Sequence, residues 1–214
     1  NSGKTHALIY RLLRFLTEIP QCTIGIYLPT VELIKKIIHP RLVEIFGNSG
    51  IPFKLNKTEN SMQVWLPHGK CDIIMKSMDN PASIIGFQTT HALIDEIDTM
   101  PFEKAELLWI AILARNRKKY RLPNGKIGIN TAGVTSTPEG FKFLYQYWVK
   151  KFADNSDYQI IRGRTEDNFH LPPDYVDGLR ETYPPQLLDA YLNGEFCNLK
   201  GNTVYAEFNR VSSN

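Results

Sequence analysis

The chain has 214 residues, of which 43% are apolar and 22% charged, with a formal charge of +3. That is ordinary globular usage and enough chain to bury one substantial core. The charge is too small to argue for nucleic-acid binding by itself, so any basic surface must be local. Three cysteines, Cys22, Cys71 and Cys197, lack metal-ligand spacing and are odd in number, which reads as reduced thiols of an intracellular protein and not a disulfide framework. No apolar run approaches the length of a membrane span, and no signal peptide precedes the first element.

The sequence opens with Asn1-Ser2-Gly3-Lys4-Thr5, the last part of a G-x-x-x-x-G-K-[ST] phosphate loop. In such a loop backbone N–H groups around the glycine and lysine face phosphate oxygens. The ammonium, here of Lys4, reaches the β/γ-phosphates, and the hydroxyl, here of Thr5, joins the Mg²⁺ shell. A helix must start here so that its dipole meets the anion. Leu8, Leu12 and Phe15 with Ile9, Leu13 and Leu16 supply a wide apolar face on a helix ending before Pro20. The loop's first half and its feeding strand would lie upstream of Asn1, so the chain reads as truncated there.

Thr23 to Leu28 reads as a strand, and Thr30 caps a helix running to about Phe46. Gly47, Asn48, Ser49, Gly50 and Pro52 punctuate a turn. Met62–Leu66 and Cys71–Met75 look like a hairpin joined through Pro67-His68-Gly69-Lys70. Thr90 to Ile94 is a short strand buried on both faces, which delivers Asp95 and Glu96 together at its carboxyl end. Strand alternation predicts that the two carboxylates point different ways, one to a metal shell and one to a water. The plainer reading of the pair is an acidic cap on the next helix.

That helix begins around Thr99 and Pro101 and reaches about Ala114. The dense basic run Arg115-Asn116-Arg117-Lys118-Lys119-Tyr120-Arg121 reads as a solvated helix end, with contact to DNA phosphates or to a neighbouring subunit as the alternative. Ile127 to Asn130 is expected to be a strand, followed by the hydroxyl-rich Thr135-Ser136-Thr137 before Pro138. These hydroxyls can read a phosphate or water without adding charge, or cap a helix. A further helix carries Phe141, Phe143, Leu144 and Trp148. Past Tyr158 come a strand-like Gln159-Ile160-Ile161, acidic Pro-rich turns, and helices near 174–182 and 185–192. Alternating strands and helices make this an α/β protein with a layered sheet. The five histidines are scattered without metal-ligand spacing.

Phosphate loop, acidic strand end and hydroxyl-rich strand end, in that order, resemble the ATPase domain of the large terminase subunit, which packages DNA into viral capsids. The resemblance includes Leu93-Ile94-Asp95-Glu96 and Thr135-Ser136-Thr137-Pro138-Glu139-Gly140. It extends through Arg164-Thr165-Glu166-Asp167-Asn168, Leu171-Pro172, Tyr175-Val176, Leu179-Arg180 and Tyr183. It closes with Ala190-Tyr191-Leu192-Asn193-Gly194-Glu195-Phe196 and Val204-Tyr205-Ala206-Glu207-Phe208.

The resemblance implies a P-loop NTPase of the RecA-like class, with a mostly parallel sheet flanked by helices. Its core would span residues 1–157, a small lid subdomain 158–208, and a linker toward an absent nuclease domain 209–214. It implies ATP and Mg²⁺ as cofactors. Asn1, Ser2, Gly3, Lys4 and Thr5 would bind nucleotide, and Thr5 and Asp95 would hold Mg²⁺. Glu96 would activate water with Lys4 on the phosphates, and Thr135, Ser136 and Thr137 would couple hydrolysis to movement. The implied partners are double-stranded DNA, a portal protein, a small terminase subunit and further copies in a ring, in the host cell cytoplasm and away from membranes. Two departures stand out: the loop's usual arginine lies upstream of Asn1, and Ile85-Gly86 replaces a common Arg-Gly pair, so the charge-stabilising arginine is unassigned. Two rivals are a helicase-like translocase, which Asp95-Glu96-Ile97-Asp98 also fits, and a non-catalytic assembly module that only retains nucleotide motifs.

Overall fold

A computed structural model describes residues 3–138 and 140–197. Asn1, Ser2 and Glu139, the Val204–Phe208 segment and residues 209–214 lie outside the described residues. The chain divides into two compact units, one over Gly3–Ser136 and one from Thr137 onward. Helix residues Phe143 and Leu144 thus group with the second unit, whereas the sequence reading set them in the core.

Among the described residues the first unit holds one mixed sheet of six strands in the order β2-β3-β4-β1-β5-β6. The strands are β1 Thr23–Leu28, β2 Phe53–Asn56, β3 Ser61–Leu66, β4 Gly69–Ser77, β5 His91–Asp95 and β6 Thr131–Thr135. β4, β1, β5 and β6 run parallel, and β2 and β3 join antiparallel at one side. All residues of β1 and β5 are buried. This is why both read as uninterrupted apolar runs, since strands inside a parallel sheet are covered on both faces.

Helix α1, Lys4–Glu18, and helix α2, residues 31–48, cover one face. Leu8, Leu12 and Leu16 of α1 and Ile38, Leu42 and Phe46 of α2 share a core with Ile24, Ile26, Met62, Ile73, Met75 and Leu93. The apolar spacing of α1 is three to four residues, so its buried positions stack on one side of a 3.6-residue turn. Thr30 caps α2 by accepting from the Leu33 amide at 3.2 Å. α2 is not the uniform helix expected, because its middle, Ile34–Ile38, winds as a π-turn. Pro40 follows directly, and a proline inside a helix has no N–H and crowds the carbonyl four residues back. Widening the preceding turn relieves that conflict, and the His39 amide donates instead to the Ile34 carbonyl.

Three further expectations are corrected. The last strand of the sheet is Thr131–Thr135, not 127–130; Ile127 makes only an isolated bridge to Arg121. The reason is register: His91–Asp95 pairs residue by residue with Thr131–Thr135, and Asn130 instead donates its side-chain amide to the Thr90 and Lys118 carbonyls. The hairpin between β3 and β4 closes through Pro67-His68 alone, since Leu66 already pairs with Gly69. Gln159–Ile161 is not a strand; Ile161 is 94% exposed, and nothing apolar holds it in a ladder.

Helix α3 spans Phe102–Arg115 with Pro101 just before it. Ile97–Thr99 forms a separate 3₁₀ turn, so the helix starts later than Thr99. The basic run is not one helix end. Only Arg115 belongs to α3, and the Lys118 ammonium turns inward to donate to the Thr23 hydroxyl at 2.6 Å.

The second unit contains helix α4, Tyr145–Lys151, wound as a π-helix, α5, Tyr175–Thr182, and α6, Pro185–Leu188. An aromatic cluster organises its first part: Phe143 lies against Tyr147 and Trp148, and Phe152 stacks on Tyr158 with centroids 4.1 Å apart. Glu166 is bridged by Arg180 at 2.7 Å and Arg164 at 3.1 Å.

Candidate active site

β5 and β6 end side by side, with Asp95 opposite Thr135, and α1 begins nearby. Gly3 caps α1 in the left-handed region at φ 76°, ψ 20°, a conformation that glycine adopts without steric cost. The helix then starts with Lys4 and Thr5. Lys4 Nζ lies 3.7 Å from Glu96 Oε1, and Thr5 Oγ1 donates to Asp95 Oδ2 at 3.4 Å. Residues ninety positions apart in sequence therefore meet at one edge of the sheet.

Asp95 is only 6% exposed. Thr135 Oγ1 donates to its Oδ1 at 2.7 Å. Burial pushes the Asp95 carboxyl above the ordinary carboxylate range; the Thr135 hydrogen bond opposes this, the Glu96 charge adds to it, and Lys4 and Thr5 oppose it. The balance leaves a carboxylate whose charge is costly where it stands, so a nearby cation would stabilise it. A carboxylate beside a hydroxyl is a hard oxygen donor set that suits Mg²⁺ completed by phosphate and water. Among the described residues there is no cluster of three or more His, Cys, Asp or Glu side chains that could form an all-protein cage.

Glu96 is held differently. Its backbone is left-handed, at φ 54°, ψ 43°. Its amide donates to the Thr135 carbonyl at 2.7 Å, and its carbonyl accepts from the Thr99 amide at 3.2 Å and the Thr99 hydroxyl at 2.7 Å. Ser136 Oγ donates to Glu96 Oε2 at 3.3 Å. Strand alternation is therefore not what separates the two carboxylates: β5 stops at Asp95, and a left-handed turn redirects Glu96. The sequence carried no signal for this, since glutamate is not a residue that favours positive φ.

The structure brings Lys4, Thr5, Asp95, Glu96, Thr135 and Ser136 together. Thr137 is buried and opens the second unit; Asn1 and Ser2 lie outside the described residues. Thr135 and Ser136 spend their hydroxyls on the two carboxylates, and no helix follows for them to cap before Phe143. Thr99, absent from the expected site, joins it through the Glu96 carbonyl. A separate open groove of about 550 Å³ is lined by Thr23, Gln63, Asp72, Lys76, Phe87 and Lys118 among others, and none of Lys4, Thr5, Asp95 and Glu96 borders it.

The sequence matches the family described as terminase large subunit, T4likevirus-type, N-terminal, over residues 1–212. No curated protein matches it. Among solved structures, the fold is similar to the large terminase from a thermophilic bacteriophage, with TM-score 0.69 and 16% identity over 89% of this chain and 44% of that one. The same phage protein in complex with ATP-gamma-S gives TM-score 0.68 and 16% identity, covering 90% of this chain and 44% of that one. The Thermus phage P74-26 large terminase ATPase domain gives TM-score 0.65 and 17% identity, covering 92% of this chain and 85% of that domain. The chain thus spans under half the length of the thermophilic phage's large terminase. These likenesses show a shared fold, a mixed sheet of mostly parallel strands flanked by helices.

Proposed function

The chain belongs to the large terminase subunit family by its N-terminal region, and from that we propose that it hydrolyses ATP to drive double-stranded DNA into a viral procapsid. The observation that carries the proposal is the meeting of Lys4 and Thr5 at the start of α1 with Asp95 and Glu96 at the end of β5. Phosphoryl transfer asks a protein mainly for positioning and charge neutralisation, and this arrangement supplies both. The ADP and ATP-gamma-S complexes of the thermophilic phage terminase support nucleotide as the ligand.

Lys4 takes the β/γ-phosphates, exchanging its Glu96 partner for phosphate oxygens as nucleotide enters. The first-turn amides of α1 face the same anion. Thr5 and Asp95 would hold Mg²⁺, which when bound neutralises phosphate charge. Thr135 keeps Asp95 oriented through its hydroxyl. Glu96, released from Lys4, polarises the attacking water, and Ser136 at its other oxygen limits its rotation. Thr135–Thr137 link the acid pair to the second unit in sequence and serve as the coupling segment. The second unit from about residue 158 acts as a lid. Portal protein, small terminase subunit and further copies in a ring are the assembly partners, acting in the host cytoplasm.

The test separates binding from chemistry in the full-length protein. Glu96→Gln should keep ATP affinity within about threefold while losing on the order of a hundredfold or more in turnover, because size and hydrogen bonding survive but the charge does not. Lys4→Ala should weaken ATP binding as well, since its phosphate contact exists before the transition state. Parental turnover in Glu96→Gln would make Glu96 structural and the mechanism wrong.

A further inference from the structure

We infer that Thr99 is a positioning residue for Glu96: its hydroxyl holds the glutamate backbone in the left-handed conformation that directs the carboxylate toward Lys4 and Ser136. This rests on the reading of Glu96 as the water-polarising group.

Among the described residues, only Gln21, Asn60 and Glu96 have positive φ without being glycine. For an L-residue this conformation is disfavoured, because Cβ crowds the following carbonyl oxygen. Such a residue stays in place only where its surroundings over-determine it. Around Glu96 the determinants are explicit. Its N–H is fixed by the Thr135 carbonyl at 2.7 Å. Its C=O is fixed by two donors from one residue, the Thr99 amide at 3.2 Å and hydroxyl at 2.7 Å. The hydroxyl bond is the shorter of the two.

The anchor itself is firm. Ile97 and Asp98 are fully buried, Met100 is buried, and the Met100 amide closes the turn onto the Ile97 carbonyl at 3.1 Å. Thr99 sits between them with its side chain exposed and reaches back to residue 96. Its hydroxyl is therefore tied to the backbone of the candidate catalytic residue without belonging to the core. A Glu96 that relaxed to extended geometry would continue β5 and send its side chain to the face opposite Asp95. That relaxation rotates the 96 carbonyl away from both Thr99 donors, so the hydroxyl bond opposes it directly.

The consequence is specific to the chemical step. ATP is bound through Lys4, Thr5 and the start of α1, none of which touches Thr99 in the hydrogen bonds described above. Loss of the hydroxyl should let Glu96 sample unproductive conformations, lowering kcat with little change in KM.

The experiment uses the full-length protein and four variants: Thr99→Val, Thr99→Ala, Thr99→Ser and Glu96→Gln. Val preserves the shape of threonine and removes the donor; Ala removes it without branching; Ser restores the donor. Val and Ala should each lower kcat on the order of ten- to a hundredfold, with KM for ATP within about twofold and a melting temperature within about 3 °C of the parent. Ser should recover most of the parental kcat. Parental kcat in both Thr99→Val and Thr99→Ala, beside an inactive Glu96→Gln, overturns the proposal while leaving the site reading intact. A Ser variant as slow as Val and Ala shows that the hydroxyl is not the agent, and overturns it too. Parental turnover in Glu96→Gln overturns the site reading and this proposal together.

Discussion

His91 sits at the opposite end of β5 from the acid pair and shows how one buried residue makes stability depend on pH. It is 1% exposed, stacked on Phe15 with centroids 4.0 Å apart and edge-on to Tyr120. Its Nδ1 accepts from the Thr131 amide at 3.3 Å and lies 2.9 Å from Thr131 Oγ1. Burial, and then the nearby Arg11 charge, lower its pKa to about 4. Folding therefore favours the neutral ring. That stabilisation is complete above the unfolded pKa of about 6.5, and it is lost as pH falls from there toward 4. The lost stability amounts to about 2 kcal/mol between about pH 6.5 and pH 5. Asp95 contributes a slope of opposite sign, since its folded pKa is raised, so the histidine term must be isolated. Denaturant unfolding of the parent and of His91→Asn, whose Oδ1 can replace the Nδ1 acceptor, should show the parent losing ground to the variant across that window. Parallel stability curves would mean that His91 titrates normally. The same residue-scale logic explains why Glu96 was half legible in sequence. Its place after an apolar strand marked it as a candidate, but its left-handed backbone is held by Thr135 and Thr99, which no local propensity reports.

At the scale of elements, β1 is the centre of the sheet and its glycine is not incidental. Gly25 pairs with Ala92 on one side and Ile74 on the other. The fully buried Tyr27 ring folds over it, so a Cβ at position 25 would lie 2.6 Å from the Tyr27 hydroxyl oxygen. Gly25→Ala should therefore destabilise the domain by about 1–3 kcal/mol through overpacking, visible as a lower denaturation midpoint with an unchanged m-value. An unchanged midpoint would show that Tyr27 has room to swing aside. α2 illustrates the limit of pattern reading at this scale. Its cap at Thr30 and its apolar spacing were visible, yet the π-turn follows from Pro40 meeting the carbonyls of the turn before it. Likewise β6 was placed four residues early. Ile127 and Ile129 look like strand residues, but they are 66% and 80% exposed, because the ladder with β5 is set by pairing from His91 onward.

For the whole molecule, the site joins groups from α1, the end of β5 and the end of β6, so occupancy of the site should be felt by the fold of the first unit. A ligand that binds only the folded state adds about 2.7 kcal/mol at about one hundred times its dissociation constant. For a domain of this size that corresponds to a rise of about 5–10 °C in Tm. Full-length protein with ATP and Mg²⁺ should show such a shift, and chelating Mg²⁺ should remove most of it, because Asp95 then faces phosphate without an intervening cation. Equal shifts with and without Mg²⁺ would mean that Thr5 and Asp95 do not hold the metal. Among the described residues, no helix is long and apolar enough to cross a membrane.

The sequence alone determined the α/β class, the parallel central strands and, Thr99 apart, which side chains gather at the proposed site. Buried parallel strands must be apolar throughout, and phosphate chemistry admits few residue types at few spacings, so both leave local marks. The tertiary structure decided the rest: the register that puts β6 at Thr131–Thr135, the engagement of Thr135 and Ser136 with the two carboxylates, and the clamp of Thr99 on Glu96. Each of these depends on which backbone groups are left without a partner once strands from distant parts of the chain have paired. That is settled by the assembled sheet and not by any single stretch of residues.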